Sequence, residues 1–377
     1  MIKSAYIHIP FCEHICHYCD FNKVFLKGQP VDEYLQMLEK EMQLAMQLHR
    51  PMVMDTVFVG GGTPTSLNAD QLQTLTGSIR KTLPLSEDVE YTFEANPGDL
   101  SEEKLSVLYN AGVNRLSFGV QSFNDELLKR IGRTHKAADV YETIEKAYKI
   151  GFQNVSIDII YGLPGQTMED FEDTLSKALD LQLPHYSGYS LIVEPKTVFY
   201  NLMQKGKLNL PPQDLEAAMY ERLMERMTQS GHVQYEISNF SKPGYESKHN
   251  ITYWNNEEYF GFGAGAHGYV DGRRVSNHGP LKKYMAPVAQ GLMPHIEEHQ
   301  VTREEKMEEE LFLGLRKTKG VSLEGFKNKF FVEMTDIFRQ AITEQMEKGL
   351  LVMEDGYVRL TRRGRLLGNE VFQSFLE

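Results

Sequence analysis

Cys12, Cys16 and Cys19 are the only cysteines among 377 residues, and they fall within eight positions in the order C-x3-C-x2-C. Scattered thiols read as small buried hydrophobes, but clustering removes most of that reading. A disulfide framework fits poorly, because an odd number of thiols in one short loop leaves one unpaired and no secretory leader precedes them. Thiols so spaced are metal ligands, and two metals compete for them. One is an iron–sulfur cluster; the other is a structural zinc completed by an imidazole such as His14 or His17. Structural zinc takes four protein ligands, often from two separated knuckles, and no second cysteine pair exists, so ligand economy favours the cluster. A [4Fe–4S] cube on three thiolates keeps one iron free for a small-molecule chelate.

Other residues with chemical potential lie further along. Gly60-Gly61-Gly62-Thr63-Pro64-Thr65 follows a strand-like run, and consecutive glycines admit close approach of a ligand to the backbone. Such a turn also serves conformation alone. Glu94, Gln121 and Asp158 are polar where a barrel interior would otherwise be apolar, and Arg133 follows closely enough to pair with a carboxylate. Helix caps and surface ion pairs are the plain alternative for each. His249-Asn250-Ile251-Thr252-Tyr253-Trp254 sets an imidazole, a nitrogen donor that commonly ligates metals, and an amide beside two aromatic rings. Without further support, a histidine among aromatics reads as an ordinary packed residue.

These residues need a frame. Strand-like runs at Ala5–Ile9, Thr56–Val59, Val89–Glu94, Arg115–Val120, Val155–Tyr161 and Tyr186–Ile192 alternate with amphipathic helical segments near Val31–Leu48, Ala69–Lys81, Ser101–Asn110, Ala137–Ile150, Thr167–Leu181 and Leu215–Ser230. Strand–helix alternation predicts an α/β fold with a parallel sheet, and six units predict a partial (β/α)6 TIM-type barrel. Ligands collect at the carboxyl ends of such strands, where the distinctive residues stand. The expected division is a barrel over 1–232, a connecting segment over 233–300 and a carboxy-terminal α+β domain over 301–377. Within that last domain, helices at Glu304–Arg316 and Met334–Lys348 precede two short strands around Asp355-Gly356, the order of a winged helix.

Gly261–Gly268 has a G-x-G-x-x-H spacing superficially like a nucleotide loop. No acidic residue follows about 20 positions on at a strand end, so a dinucleotide fold is rejected. A close-packed connection is expected there.

With 40 basic and 52 acidic residues the formal charge is −12, which opposes general binding to nucleic acid or an anionic membrane. The acidic runs Glu304-Glu305 and Glu308-Glu309-Glu310 make the same case against a DNA-binding wing, despite the short basic cluster Arg362-Arg363-Gly364-Arg365. Apolar runs fall short of the ~20 residues of a membrane span. The opening Met1-Ile2-Lys3-Ser4 has no secretory character, so a cytoplasmic location is expected, with peripheral membrane contact left open.

From Tyr6 to about Pro195 the chain resembles the radical S-adenosylmethionine (SAM) superfamily, on the cysteine spacing, the strand leading into it and the GGGTP-type segment. The resemblance implies that SAM chelates the open iron and that one electron from the cluster cleaves it to a 5′-deoxyadenosyl radical. Within the superfamily the pattern is similar to the subgroup of oxygen-independent coproporphyrinogen III oxidase. That likeness implies SAM contacts at Tyr6, Tyr18, Gly61, Gly62, Thr63, Glu94, Gln121, Arg133, Asp158 and Ser190.

Two departures count against the oxidase reaction itself. Asp20 and Phe21 follow Cys19 where the oxidases continue to a fourth cysteine, and only eleven residues precede Cys12 where they carry an extension. The His-Asn-x-x-Tyr-Trp run resembles instead the signature of HemW-type haem chaperones. This likeness implies haem as a third cofactor with His249 as its iron ligand, His267 being second choice. It also implies an electron donor and haem-accepting proteins as partners, membrane-associated respiratory proteins among them.

Overall fold

The computed structural model describes residues 2–49 and 53–376; Met1, from the opening stretch considered above, lies outside them. Six strands, β1 (Ser4–Ile9), β2 (Met54–Gly61), β3 (Leu85–Ala95), β4 (Arg115–Gln121), β5 (Asn154–Tyr161) and β6 (His185–Ser190), pair in parallel in sequence order. Each overlaps a run expected from sequence. The helices on the outside begin where local chemistry allows: Asn68, Ser101 and Thr167 cap Ala69–Thr82, Glu102–Asn110 and Met168–Asp180 by accepting from backbone N–H groups three residues on, which satisfies donors the helix leaves unpaired.

The period-two alternation of the strands decides which face is which. Ala5, Ile7 and Ile9, Val57 and Val59, Leu116, Phe118 and Val120, and Val155, Ile157 and Ile159 join the main hydrophobic core with the helices. The alternate set, including Tyr6, His8, Phe58, Glu94, Arg115, Ser117, Asp158 and Ser187, comes from all six strands and lines one common cavity. A sheet whose six strands share an interior must curve, and the interior is polar.

The segment expected as a connector supplies both edges of this sheet. Phe260–Phe262 pairs in parallel outside β1, while Asn239–Ser241 and Val233–Gln234 add antiparallel strands beyond β6. Among the described residues no pairing joins the two edges, so the barrel is open. The glycine loop is close-packed as expected: a Cβ at Gly261 would lie 1.8 Å from the His267 carbonyl oxygen.

Residues 303–375 build a second core around Leu311, Phe326, Val358 and Phe372. Helices Arg303–Gly314, Leu323–Phe330 and Arg339–Glu347 surround a three-stranded antiparallel sheet of Val321–Ser322, Tyr357–Leu360 and Leu351–Glu354, the arrangement of a winged helix. Asp355 and Gly356 both have positive φ, 51° and 78°, as a two-residue hairpin turn requires. The helix expected over Met334–Lys348 is broken at Phe338, whose φ of −108° and ψ of 26° leave the helical region.

Side-chain contacts join this domain to the barrel's lower end, those of Arg316, Lys317 and Arg274 among them. The Arg316 guanidinium stands 5.2 Å from the Trp254 ring, 5.1 Å from Phe312 and 4.7 Å from Phe372. Lys317 Nζ donates to Asn255 Oδ1 at 2.7 Å, and Arg274 donates twice to the Glu309 carboxylate, at 3.2 and 2.8 Å. Among the described residues no helix is long and apolar enough to cross a membrane.

Candidate functional site

The cysteine loop leaves the barrel at Pro10, just past β1. Phe11–Cys12 pairs in parallel with Val24–Phe25, so both stems are held by the backbone and the residues between them form a closed excursion. The His17 N–H donates to the Ile131 carbonyl and the Phe199 N–H to the His17 carbonyl, each at 3.0 Å, which fastens the outside of the loop. All three cysteines line a cavity of about 520 Å³ at the carboxyl ends of the strands. Of the two imidazoles offered for zinc, His14 lines the cavity and His17 does not; the latter's Nδ1 lies 3.0 Å from the Arg130 carbonyl oxygen.

Burial pushes the Cys12 thiol up and that of Cys19 to about 11, so each needs nearby positive charge to ionise. Lys23 and Arg133 supply part of it, and the Thr63 hydroxyl donates to Cys12 Sγ at 3.5 Å. Iron would supply the rest, since metal binding draws the proton from a ligand thiol. Among the described residues no three His, Cys, Asp or Glu side chains converge on a point one ion could occupy. A cubane takes each thiolate on a separate iron and does not ask them to, so the donor set fits that group.

The glycine run serves the protein before any ligand. Gly61 N–H donates to Glu94 Oε2 at 3.0 Å, Gly62 N–H to the Ile9 carbonyl at 2.9 Å and Thr63 N–H to the Phe11 carbonyl at 2.8 Å. None of these donors is left for a ligand. A Cβ on Gly62 would meet Pro10 C, Phe11 O and Cys12 Sγ at 2.8–3.0 Å, and one on Gly61 the His8 ring at 2.5 Å. The glycines thus let the β2 end press against the cysteine loop.

Tyr18, Gln121, Arg133 and Ser190 line the same cavity. Gln121 takes φ 68° at the end of β4, and the Ser190 hydroxyl donates to Glu216. Arg133 is held by three acceptors, donating to Asn96 Oδ1 at 2.7 Å, to the Gly119 carbonyl and to Cys16 Sγ at 3.5 Å. Asn96 is a residue that sequence reasoning passed over. It also donates to Thr63 Oγ1 at 3.3 Å and Asp99 at 3.1 Å, tying the β3 end to the glycine turn; its only signal was an asparagine before a proline at a strand end.

Gly61, Glu94 and Asp158 line this cavity and also a second one beneath it, again of about 520 Å³. Burial, then the charge of Asp158, lifts the Glu94 carboxyl to about 7 against the pull of the Gly61 N–H. Burial likewise raises Asp158, offset by Ser187 and Arg115. Two carboxyls on one cavity wall, on strands either side of β4, favour a cationic guest, because a positive charge near them offsets desolvation and the repulsion Glu94 feels from Asp158. A sulfonium with an ammonium group fits that environment.

Tyr6 and His249 belong to the lower cavity. The helix Lys248–Trp254 closes the barrel floor, with Glu90 accepting from the N–H groups of Lys248 and His249 at 3.0 Å each, an acid at a helix amino terminus. His249 is 1% exposed and stacks on Phe58 at 5.2 Å. Its Nδ1 lies 2.7 Å from Thr56 Oγ1 and its Nε2 2.8 Å from the Tyr253 hydroxyl. Burial, then Arg115, lowers its pKa to about 3, so the ring is neutral. Both nitrogens already have partners, and reaching iron requires one of them to let go.

His267 stands exposed at the mouth of the same cavity, and among the described residues its ring makes no hydrogen bond. The loop carrying it is held by the buried Glu41 carboxylate, which accepts from Gly263 N–H at 2.8 Å and from Asn277 Nδ2 and the Tyr284 hydroxyl at 2.6 Å each.

Residues 6–178 match the Radical SAM superfamily and residues 301–367 the HemN C-terminal domain. The chain is 57% identical over 376 residues to "Heme chaperone HemW" of Bacillus subtilis, covering 100% of this chain and 99% of the relative. It is 48% identical to the protein of the same name from Lactococcus lactis, covering 99% and 97%, and 35% identical to that from Escherichia coli, covering 99% and 98%. Among solved structures, coproporphyrinogen III oxidase (HemN) from Escherichia coli, described as a radical SAM enzyme, superimposes with a TM-score of 0.86 at 25% identity, over 99% of this chain and 90% of that one. Its match over nearly the whole length, rather than over the barrel alone, extends the likeness to the winged domain. By sequence identity along its full length and by the cysteine site built above, this chain belongs to the HemW family of the radical SAM superfamily.

Proposed function

We propose that this protein is a cytoplasmic haem chaperone that binds a [4Fe–4S] cluster, SAM and haem and delivers the haem to acceptor proteins, membrane-associated respiratory proteins among them. The observation that carries the reading is the pair of adjacent chambers sharing a wall of Glu94 and Asp158, the upper ringed by thiols and the lower by aromatics and imidazoles. Cys12, Cys16 and Cys19 hold the cluster. Tyr18, Gly61, Gly62, Thr63, Glu94, Gln121, Arg133, Asp158 and Ser190 surround SAM, with Tyr6 reaching it from below. When bound, the cluster supplies single electrons. The protein's own part is to keep the acids buried and Arg133 fixed, so that a cation is held in one orientation away from water.

Haem occupies the lower chamber, which Phe58, Tyr6 and Tyr253 line, with His249 as the iron ligand. Its Nε2 becomes available when the Tyr253 hydroxyl, which borders the same space, gives up its hydrogen bond. The winged domain over 301–377, joined to the barrel over 1–232 by the segment 233–300, acts as a protein contact and not as a nucleic-acid reader.

Haem titration of the cluster-loaded protein tests this. Haem should quench the emission of Trp254, the single tryptophan. His249→Ala should weaken binding by about tenfold or more, ~1.4 kcal/mol, and change the haem spectrum. Unchanged affinity and spectrum in that variant, with both altered in His267→Ala, would transfer the role to His267. Protoporphyrinogen formed from coproporphyrinogen III with SAM and reductant would replace the chaperone reading by the oxidase reaction named for the structural relative.

A further inference from the structure

Arg115 opens β4 on the inner face and borders the lower chamber beside Ser117. It heads the largest fully buried side chains and is 2% exposed. A guanidinium carries five N–H donors. Among the described residues this one makes a single side-chain hydrogen bond, to Ser156 Oγ at 3.3 Å, forms no ion pair, and leaves Nε buried without an acceptor. Leaving a buried charged donor unpaired is among the costlier arrangements a fold can hold.

Arg133 shows the contrast, being only half-buried yet supplied by Asn96, Gly119 and Cys16. The acids near Arg115 feel its charge, but among the described residues neither accepts a hydrogen bond from it: Glu94 accepts from the Gly61 N–H, and Asp158 is turned to Ser187 and Ser117. What Arg115 lacks is a planar, singly charged acceptor of two parallel hydrogen bonds, which is the geometry of a carboxylate. A polyanion such as phosphate suits the chamber less well, because Glu94 and Asp158 border it too.

We propose that Arg115 anchors a carboxylate of the lower chamber's occupant, namely one propionate of haem. This rests on the haem reading above. The aromatic walls take the apolar plane of the macrocycle, and the guanidinium fixes its edge, setting which way the disc faces His249. The carboxylate of SAM, across the shared wall, is the other source of the same chemistry.

The test compares haem with haem dimethyl ester, whose propionates cannot ionise, on cluster-loaded wild type, Arg115→Gln and Arg115→Lys, with SAM affinity measured in parallel. Wild type should prefer haem over the ester by tenfold or more. Arg115→Gln should lose that preference while SAM affinity stays within twofold, and Arg115→Lys should recover part of it. Should Arg115→Gln fail to fold, the wild-type ratio and Arg115→Lys still decide. Equal binding of haem and ester by wild type overturns the Arg115 assignment and leaves haem binding standing. Preference kept in Arg115→Gln with SAM affinity lost moves the carboxylate to SAM and overturns it as well. Wild type that binds neither porphyrin overturns both proposals.

Discussion

Replacing Gly62 by alanine adds one methyl group and should cost the protein its cluster site. The new Cβ would sit 2.8 Å from Pro10 C, 2.9 Å from Phe11 O and 3.0 Å from Cys12 Sγ. Two of these are backbone atoms that cannot rotate aside, and the third belongs to a cluster thiol. Overpacking a filled space costs about 1–3 kcal/mol. With no flexible neighbour to yield, the upper half of that range applies, ~2–3 kcal/mol, or roughly 30- to 150-fold in the folding equilibrium. Either the β2 end or the cysteine loop must retreat, and the N–H bonds of Gly62 and Thr63 to Ile9 and Phe11 lengthen with it.

The assay is a urea unfolding curve on the metal-free chain together with iron and sulfide per chain after anaerobic reconstitution. Gly77→Ala is the internal control: it lies in the helix Ala69–Thr82 with nothing within 4 Å of its added Cβ, so the same chemical change should stabilise by about 0.5–1 kcal/mol. If Gly62→Ala unfolds at the wild-type midpoint and takes up a full complement of iron, the argument that close approach dictates this glycine is wrong.

Glu236 offers a pH test. Burial lifts its carboxyl to about 7, against the hydrogen bonds from Asn239 and Ser238, and among the described residues Oε2 has no partner. A folded-state pKa above the unfolded one means that stability is complete below about pH 4 and drains away as the pH climbs to about 7. Wild type should therefore lose about 1–3 kcal/mol more than Glu236→Gln between pH 5 and 8; parallel stability curves for the two proteins would show the carboxyl to be irrelevant. Arg316→Ala should weaken the joint between barrel and winged domain by about 1–2 kcal/mol and move Trp254 emission to longer wavelength as water reaches the indole; unchanged emission would mean that Arg316 does not cover it.

The strands and outer helices were legible because their apolar residues repeat with periods of two and about 3.6. Phe260–Phe262 was not, since three residues around a glycine carry no period, and only pairing with β1 far away in sequence makes them a strand. Cys12, Cys16 and Cys19 announced themselves by spacing. Arg115 passed as the first residue of an apolar run, though the inner-face row Arg115, Ser117, Gly119 was readable had alternation been followed for polar residues too. His249 stood out by its motif, but its enclosure by Thr56 and Tyr253 depends on where the helix docks. Phe338 broke an expected helix because the aromatic contacts it makes with Phe326 and Phe375 outweigh local periodicity.

The partition of Glu94 and Asp158 has a thermodynamic corollary. Since both chambers border the same two carboxyls, whatever settles on one side changes the proton occupancy felt on the other. A cationic guest above would draw those acids toward ionisation and make the space below less hospitable to an anion. Heterotropic coupling of this kind obeys reciprocity: the factor by which the upper guest alters affinity below equals the factor by which the lower guest alters affinity above. It should also fade in acid, once both carboxyls stay protonated regardless of company.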